Sequence, residues 1–276
     1  MTKYKEAKKI PLHIILIIFS ISAIFPFYYM IITGFKTNNE FYENSFLPPV
    51  DWSIVNIKSL FFEHNFLIFF RNSAIVTIGS VLIALIVSSL AAYAYAKMKF
   101  RGNKFLLGLT ISLTGIPPII VVVPMYVLMA KINMLNTFTG INLIYSGFIL
   151  PFSIFVLTGF FRSIPDDLLH AASIDGCNRL QLLYRIILPL SKPVLITIII
   201  INSLWVWNEL LIALMFLRSE NMRTINIALA QIGGRYAINP TLVQAGALFV
   251  AVPILIIYLI GQKFFIKGMT AGALKE

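Results

Sequence analysis

Six long apolar stretches, almost free of charge, alternate along the chain with short polar and basic segments. They run over Ile10–Phe35, Asn72–Ala96, Phe105–Ala130, Gly140–Phe161, Val194–Leu217 and Gln244–Phe265. At about 1.5 Å of rise per residue, each crosses the roughly 30 Å hydrocarbon core of a bilayer with room for tilt. The pattern predicts an all-α integral membrane protein, a single transmembrane domain over residues 1–276 with six helices. The first stretch is too long for the apolar region of a signal peptide and has no small-x-small cleavage site, so it is expected to stay as a span.

Prolines interrupt several spans: Pro26 in the first, Pro117, Pro118 and Pro124 in the third, Pro151 in the fourth and Pro253 in the sixth. Each removes a backbone donor and is expected to kink its helix. In a bilayer the freed carbonyl groups need a neighbouring helix or a wet cavity, which suits helices that line a pathway. Between the first two spans lie Pro48, Pro49, Trp52 and the aromatics Phe61, Phe62, Phe66, Phe69 and Phe70. A short helix lying at the membrane surface, anchored by those rings, accounts for the run.

Charge sets the orientation. With the N-terminus inside, the inner segments hold Lys3, Lys5, Lys8 and Lys9, then Lys97, Lys99, Arg101 and Lys104, then Arg162, Arg179, Arg185 and Lys192, and finally Lys263, Lys267 and Lys275. The outer segments hold roughly half as many basic residues: Lys36, Lys58, Arg71, Lys131, Arg218, Arg223 and Arg235. Both termini are therefore expected in the cytoplasm, the chain being multi-pass in a plasma membrane. The net charge of +11 is read as this topology signal and not as a nucleic-acid surface, because only 12% of residues are charged and 59% are hydrophobic. One cysteine, Cys177, and three scattered histidines, His13, His64 and His170, leave no disulfide and no metal site to expect.

The longest inner segment, Arg162–Pro193, reads RSIPDDLLHAASIDGCNRLQLLYRIILPLSKP. Ser163 is placed as an N-cap, Pro165 in the first turn and Asp166 as the partner in a capping box. The helix is expected to run to about Ile174, with Gly176 as its stop. Leu168, Ala171, Ala172 and Asp175 share one small, mildly apolar face. A second helical stretch from about Asn178 to Leu188 ends at Pro189 and Pro193. From the residues alone, this segment serves equally as a docking element under the membrane or as an amphipathic helix resting on headgroups.

The segment resembles the EAA loop of the permeases of bacterial ATP-binding-cassette (ABC) importers: E-A-A, three residues, G, nine residues, I-x-L-P. Here His170-Ala171-Ala172, Gly176, Ile186, Leu188 and Pro189 keep every spacing, and Asp175 before the glycine also fits. Asn72-Ser73, Ala91-Ala92-Tyr93-Ala94, Phe160-Phe161, Ile164-Pro165, Trp207-Asn208-Glu209 and the ending Gly268–Lys275 look like the carbohydrate-uptake branch, in particular the smaller six-span partner of the maltose-type pair. The resemblance implies the type I ABC importer permease architecture in a bacterial inner membrane. It implies a sugar or oligosaccharide cargo, and coupling through His170, Ala171, Ala172, Asp175, Gly176, Ile186, Leu188 and Pro189. The partners it implies are a second permease subunit in a heterodimer, a cytoplasmic ATPase dimer and an extracytoplasmic solute-binding protein. His170 stands where the family usually has glutamate, so the resemblance supports no ion pair from that position; an imidazole changes charge near pH 6.5.

No G-x-x-x-x-G-K-[ST] phosphate loop occurs, so ATP and magnesium are expected on a separate ATPase, with no cofactor in this chain. No G-x-S-x-G or H-E-x-x-H motif occurs either, and no enzyme activity is expected. In the fifth span Trp205, Asn208 and Glu209, with Asn202 close to the same face, are the candidates for contact with a solute. A carboxylate within a span is a functional hypothesis by default, although Glu209 lies roughly 22 Å along the helix from Val194. It is placed there to touch solute, to reach the outer interface or to cap a neighbouring helix. The alternatives are a permease for a non-sugar solute and an ion-coupled secondary transporter, the latter disfavoured because midplane acids and bases are missing from the other five spans.

Overall fold

The computed structural model describes residues 10–235 and 239–273, all of its regular elements helical. Lys3, Lys5, Lys8, Lys9 and Lys275, and the last residues of the Gly268–Lys275 ending, lie outside the described residues. Four helices are long and apolar enough to cross a membrane, and two bent pairs raise the number to six if each pair is one span.

The chain divides into two compact units. The first comprises residues up to Leu67 together with Ala228–Pro253. It begins with α1 (Ile10–Gly34), followed by the short helices α2 (Asn38–Glu43) and α3 (Val55–Phe62). Apolar side chains of α1 from Leu12 to Phe27 stand exposed all round, as expected of a helix solvated by lipid. Only its end is anchored. The Asn56 amide donates to the carbonyls of Gly34 (3.0 Å) and Lys36 (2.7 Å), closing the C-terminal groups that a helix leaves open. Gly34 packs so tightly on Ala245 that a Cβ would sit 3.1 Å from its backbone. The buried Lys36 donates to Asn44 O at 2.5 Å, and Phe61 meets Phe249 edge-on with ring centroids 5.0 Å apart.

The second unit comprises Ile68–Ile227 and the chain from Ile254. It contains most of α4 (Phe66–Lys97), the bent pair α5 (Asn103–Ser112) and α6 (Pro118–Lys131), α7 (Phe138–Ser163), α8 (Asp166–Ile174), α9 (Arg179–Leu190), α10 (Lys192–Asn208) and α11 (Leu211–Phe216). The helices α12 (Ile225–Arg235) and α13 (Pro240–Ala273) close the sequence. The centre of this unit is α7. Half of its most apolar window is buried, and Ile141, Ile144, Tyr145 and Ile149 form one core with Val76, Val81 and Ala84 of α4, Val122 and Met129 of α6, and Val206, Ile212 and Phe216. Gly79 permits the close approach of α4 and α7, since a Cβ there would lie 2.2 Å from Asn142 Nδ2.

Two expected spans are discontinuous. The stretch read as one kinked helix over 105–130 is α5, a 3₁₀ turn at Leu113–Gly115, and α6, bent by 101°. Ile116 is extended (ψ 113°), the backbone a residue before proline prefers, and Pro118 then occupies the first turn of α6, where its missing N–H costs nothing. The stretch 194–217 is α10 followed by α11, with the break at Glu209 and Leu210. At the start of the second span, Asn72 and Ser73 are buried. Asn72 donates to the carbonyls of Asn221 (2.8 Å) and Arg223 (3.0 Å), and Ser73 Oγ accepts Ile225 N–H at 2.8 Å. This pair ties the 219–225 loop to the start of α4.

Candidate functional site

The segment between α7 and α10 is an elbow fixed at both ends. Helix α7 runs through Ser163, whose hydroxyl donates to Phe160 O at 2.7 Å. Ser163 therefore ends a helix and does not cap the next one. Pro165 stands at the N-cap of α8 with no side-chain cap, because the residue before a proline is driven to extended backbone and Ile164 (ψ 125°) complies.

Lys97, the last residue of α4, does the work assigned to a capping box. Its ammonium donates to Ile164 O (2.6 Å) and to Asp166 Oδ1 (2.7 Å). The Lys97 side chain is only 7% exposed while that of Asp166 is 70% exposed, so one end of the pair is held and the other is wet. The hydrogen bond from Lys97, then its charge, hold the Asp166 carboxyl below the usual carboxylate range, with smaller help from His170 and Lys99. Lys97 was legible in the sequence only as a topology charge.

Helix α8 turns Leu169 inward against a cluster that includes Phe161, Leu183 and Ile187, and turns Leu168, His170, Ala171 and Asp175 outward. Ala172 is half-buried and Ile174 stands fully out. The helix stops at Gly176, whose φ of +87° suits glycine, with Gly176 N–H on Ser173 O (3.1 Å) and Cys177 N–H on Ala172 O (3.0 Å). Two residues later Asn178 and Gln181 form a reciprocal capping box that opens α9. A π turn over Leu183–Ile187 sets Ile187 fully inside, with Ile186 and Leu188 partly buried beside it and Pro189 exposed. Past Ser191 the chain bends by 79° into α10. His170 borders a cleft of about 590 Å³ shared with Tyr93, Lys97, Lys99, Asp166 and Arg179. The arrangement presents a short, small-residue helix face on a braced support, which can take up a displacement imposed by a docked surface.

The four residues singled out in the fifth span do not gather into one site. Asn202 is buried and donates to Ser153 Oγ of α7 at 2.8 Å, while Asn208 is exposed and donates to Leu204 O within its own helix. Trp205 lies edge-on to Tyr145 with centroids 5.8 Å apart and also packs near Phe148. Glu209 sits in the break with extended backbone (ψ 127°). Its carboxylate accepts Ile212 N–H (3.0 Å), Ala213 N–H (3.1 Å) and the Tyr145 hydroxyl (2.5 Å). It thus caps α11, where the helix dipole favours negative charge. Asn226 of α12 donates to Trp207 O, satisfying a carbonyl at the other side of the break. Tyr145 and Asn226 were not anticipated. A tyrosine deep in an apolar helix was the available signal, since its hydroxyl needs a partner when buried.

Comparisons with known proteins bear on the same segments. A family model described as binding-protein-dependent transport system inner membrane component matches residues 84–269. The chain is similar to the putative ABC transporter permease protein ORF2 of Caldicellulosiruptor sp. (strain Rt8B.4), 38% identical over 276 residues and covering 100% of both chains. It is similar to the melibiose/raffinose/stachyose import permease protein MelC of Bacillus subtilis (strain 168), 35% identical over 251 residues and 91% of each chain. Among solved structures, it shares the fold of a chain from a bacterial ABC transporter involved in the import of the acidic polysaccharide alginate, with a TM-score of 0.84 at 24% identity, covering 96% of this chain and 99% of that one.

Proposed function

The chain belongs to the family of binding-protein-dependent transport system inner membrane components, the permeases of ABC importers, and we propose that its cargo is a sugar or oligosaccharide. The observation that carries the reading is the braced elbow at Arg162–Pro193. A helix whose outward face is Leu168, Ala171 and Asp175 is held by Lys97 at one end and stopped by Gly176 at the other. Such a face accepts a groove on a separate ATPase, and the residues His170, Ala171, Ala172, Asp175, Gly176, Ile186, Leu188 and Pro189 are assigned to that coupling. ATP and magnesium belong to that partner. A second permease subunit completes the translocation path, and an extracytoplasmic binding protein delivers the solute. Both chain ends lie on the ATPase side, following the charge bias between the spans.

The sugar assignment draws on the melibiose, raffinose and stachyose permease, whose similarity extends over nearly the whole chain. Trp205 remains the candidate aromatic surface for a pyranose ring, whereas Glu209, Asn202 and Asn208 are engaged within the protein. The test is binding-protein-stimulated ATP hydrolysis by the reconstituted complex across panels of oligosaccharides, amino acids and peptides. Stimulation by at least one oligosaccharide is expected. Stimulation confined to the other panels overturns the sugar assignment, and uptake that collapses with an uncoupler while ATP is held constant overturns the ATP-driven one.

A further inference from the structure

A second cleft, of about 650 Å³, opens where the ends of α4 and α7 meet the start of α5. Three cations line it: Lys99 from the turn between α4 and α5, Lys104 from the first turn of α5, and Arg162 from the last turn of α7. All three are exposed, no carboxylate lines the cleft, and among the described residues none of the three has an ion pair or hydrogen bond. Lys97, a short distance away, shows the contrast, since its charge is consumed by Asp166. The cleft is built and not a loose surface, because the Asn103 amide clamps the turn by donating to Tyr95 O (3.2 Å) and Met98 O (3.1 Å). The start of α5 adds a further positive end, with Gly102 at the N-cap in left-handed backbone and no side chain closing it.

Its surroundings decide what kind of anion fits. Tyr95, Phe100 and Phe105 form an aromatic rim, with Tyr95 and Phe100 ring centroids 6.1 Å apart and Phe105 72% exposed. Leu106, Leu109 and Leu113, at helical spacing along α5 and into the turn that follows it, stand exposed as an apolar strip. A soluble phosphate has use for the cations but none for the strip. A phospholipid uses both, with the headgroup over the cations, the aromatic belt at the carbonyl level and acyl chains along the strip.

We propose that this cleft is a binding site for the headgroup of an anionic phospholipid, held by Lys99, Lys104 and Arg162. It follows from the helices crossing a membrane and is independent of the cargo. The test uses the complete complex in nanodiscs of phosphatidylcholine with 30% phosphatidylglycerol (about one lipid in three), released for native mass spectrometry. The wild type should retain phosphatidylglycerol in preference to phosphatidylcholine. Each cation near a membrane surface strengthens anionic-lipid attraction about fivefold, so K99Q/K104Q/R162Q should lower retention by roughly a hundredfold at that site. The charge-preserving K99R/K104R should keep it, and Lys58→Gln, remote in sequence and equal in charge to Arg162→Gln alone, should leave it unchanged.

Retention by the triple variant equal to wild type overturns the proposal. Displacement of the lipid by millimolar glycerol phosphate, or binding of glycerol phosphate in a pure phosphatidylcholine disc, assigns the cleft to a soluble phosphate ester and overturns it as well. Loss of the ATPase subunit from the triple variant with lipid retention intact assigns the cations to an acidic protein surface instead. If K99Q/K104Q/R162Q fails to assemble, K99Q/K104Q and Arg162→Gln, each measured alone, decide the question by the same criterion.

Discussion

At the scale of single residues, Glu209 shows how a carboxylate in a span is accommodated with no ion-pair partner among the described residues. Two backbone N–H groups and a phenol, all within 3.1 Å, replace water around it. Tyr145→Phe removes a hydrogen bond to a charged acceptor and should cost about 1.5–3 kcal/mol. Glu209→Ala also strips the cap from α11 and leaves the Tyr145 hydroxyl alone, so it should lower the thermal midpoint of the detergent-solubilised complex further than Tyr145→Phe. Glu209→Gln, which keeps an acceptor, should fall between wild type and Ala. Equal midpoints for all four proteins would remove the capping role and return Glu209 to the list of solute contacts.

Asp166 gives a pH prediction whose sign is set by the direction of its shift. Its carboxyl is held down in the folded chain chiefly by Lys97, so the pair's contribution is present above the ordinary carboxylate value of about 3.9 and is lost as pH falls through the lower folded value. Wild type and Asp166→Asn should therefore differ in thermal midpoint at pH 7 and at pH 5 by the same amount, and converge only below about pH 4. A gap that closes between pH 7 and 5 would show that the Asp166 carboxyl is not held low and would remove the Lys97–Asp166 pair as a stabilising contact.

At the scale of elements, the long apolar helices and the Gly176 stop were legible in the sequence because both are local. A run such as Phe138–Ser163 is long and apolar enough to cross a membrane as a helix, and a glycine after a helical pattern is read from its neighbours alone. The breaks were not legible for the converse reason. Hydropathy averaged over a span is indifferent to whether Ile116–Pro118 kinks the helix or turns it by 101°. The interruption at Glu209 depends on Tyr145, 64 positions earlier, and on Asn226. The Ser163 cap failed because α7 continued through it once Lys97 held Ile164 and Asp166 from across the unit.

The Gly176 turn has a graded test. Its φ of +87° strains any residue with a Cβ, with asparagine the best tolerated. Gly176→Asn should retain a substantial part of uptake, Gly176→Ala less, and Gly176→Asp none, all three remaining in the membrane fraction. The space around Gly176 is open, with nothing within 4 Å of a built Cβ. Loss of uptake in this series therefore reports on backbone geometry or on the docked surface, not on core packing. Full uptake by Gly176→Asp would sink the docking assignment for α8.

At the scale of the whole molecule, the orientation inferred from charge and the docking inferred from the elbow converge on one atom. Cys177 is the only thiol in the chain, half-buried and directly after Gly176. If the elbow faces the cytoplasm, a membrane-impermeant maleimide should label Cys177 in inverted membrane vesicles and not in intact cells. If the elbow also receives the ATPase, labelling of vesicles carrying the assembled complex should be slow and should speed up by roughly tenfold or more once the ATPase is stripped, since thiolate access and not its intrinsic chemistry then changes. Labelling from the outside would invert the topology while leaving the fold intact. Labelling from the inside at a rate indifferent to the ATPase would keep the topology and remove the elbow as the docking surface.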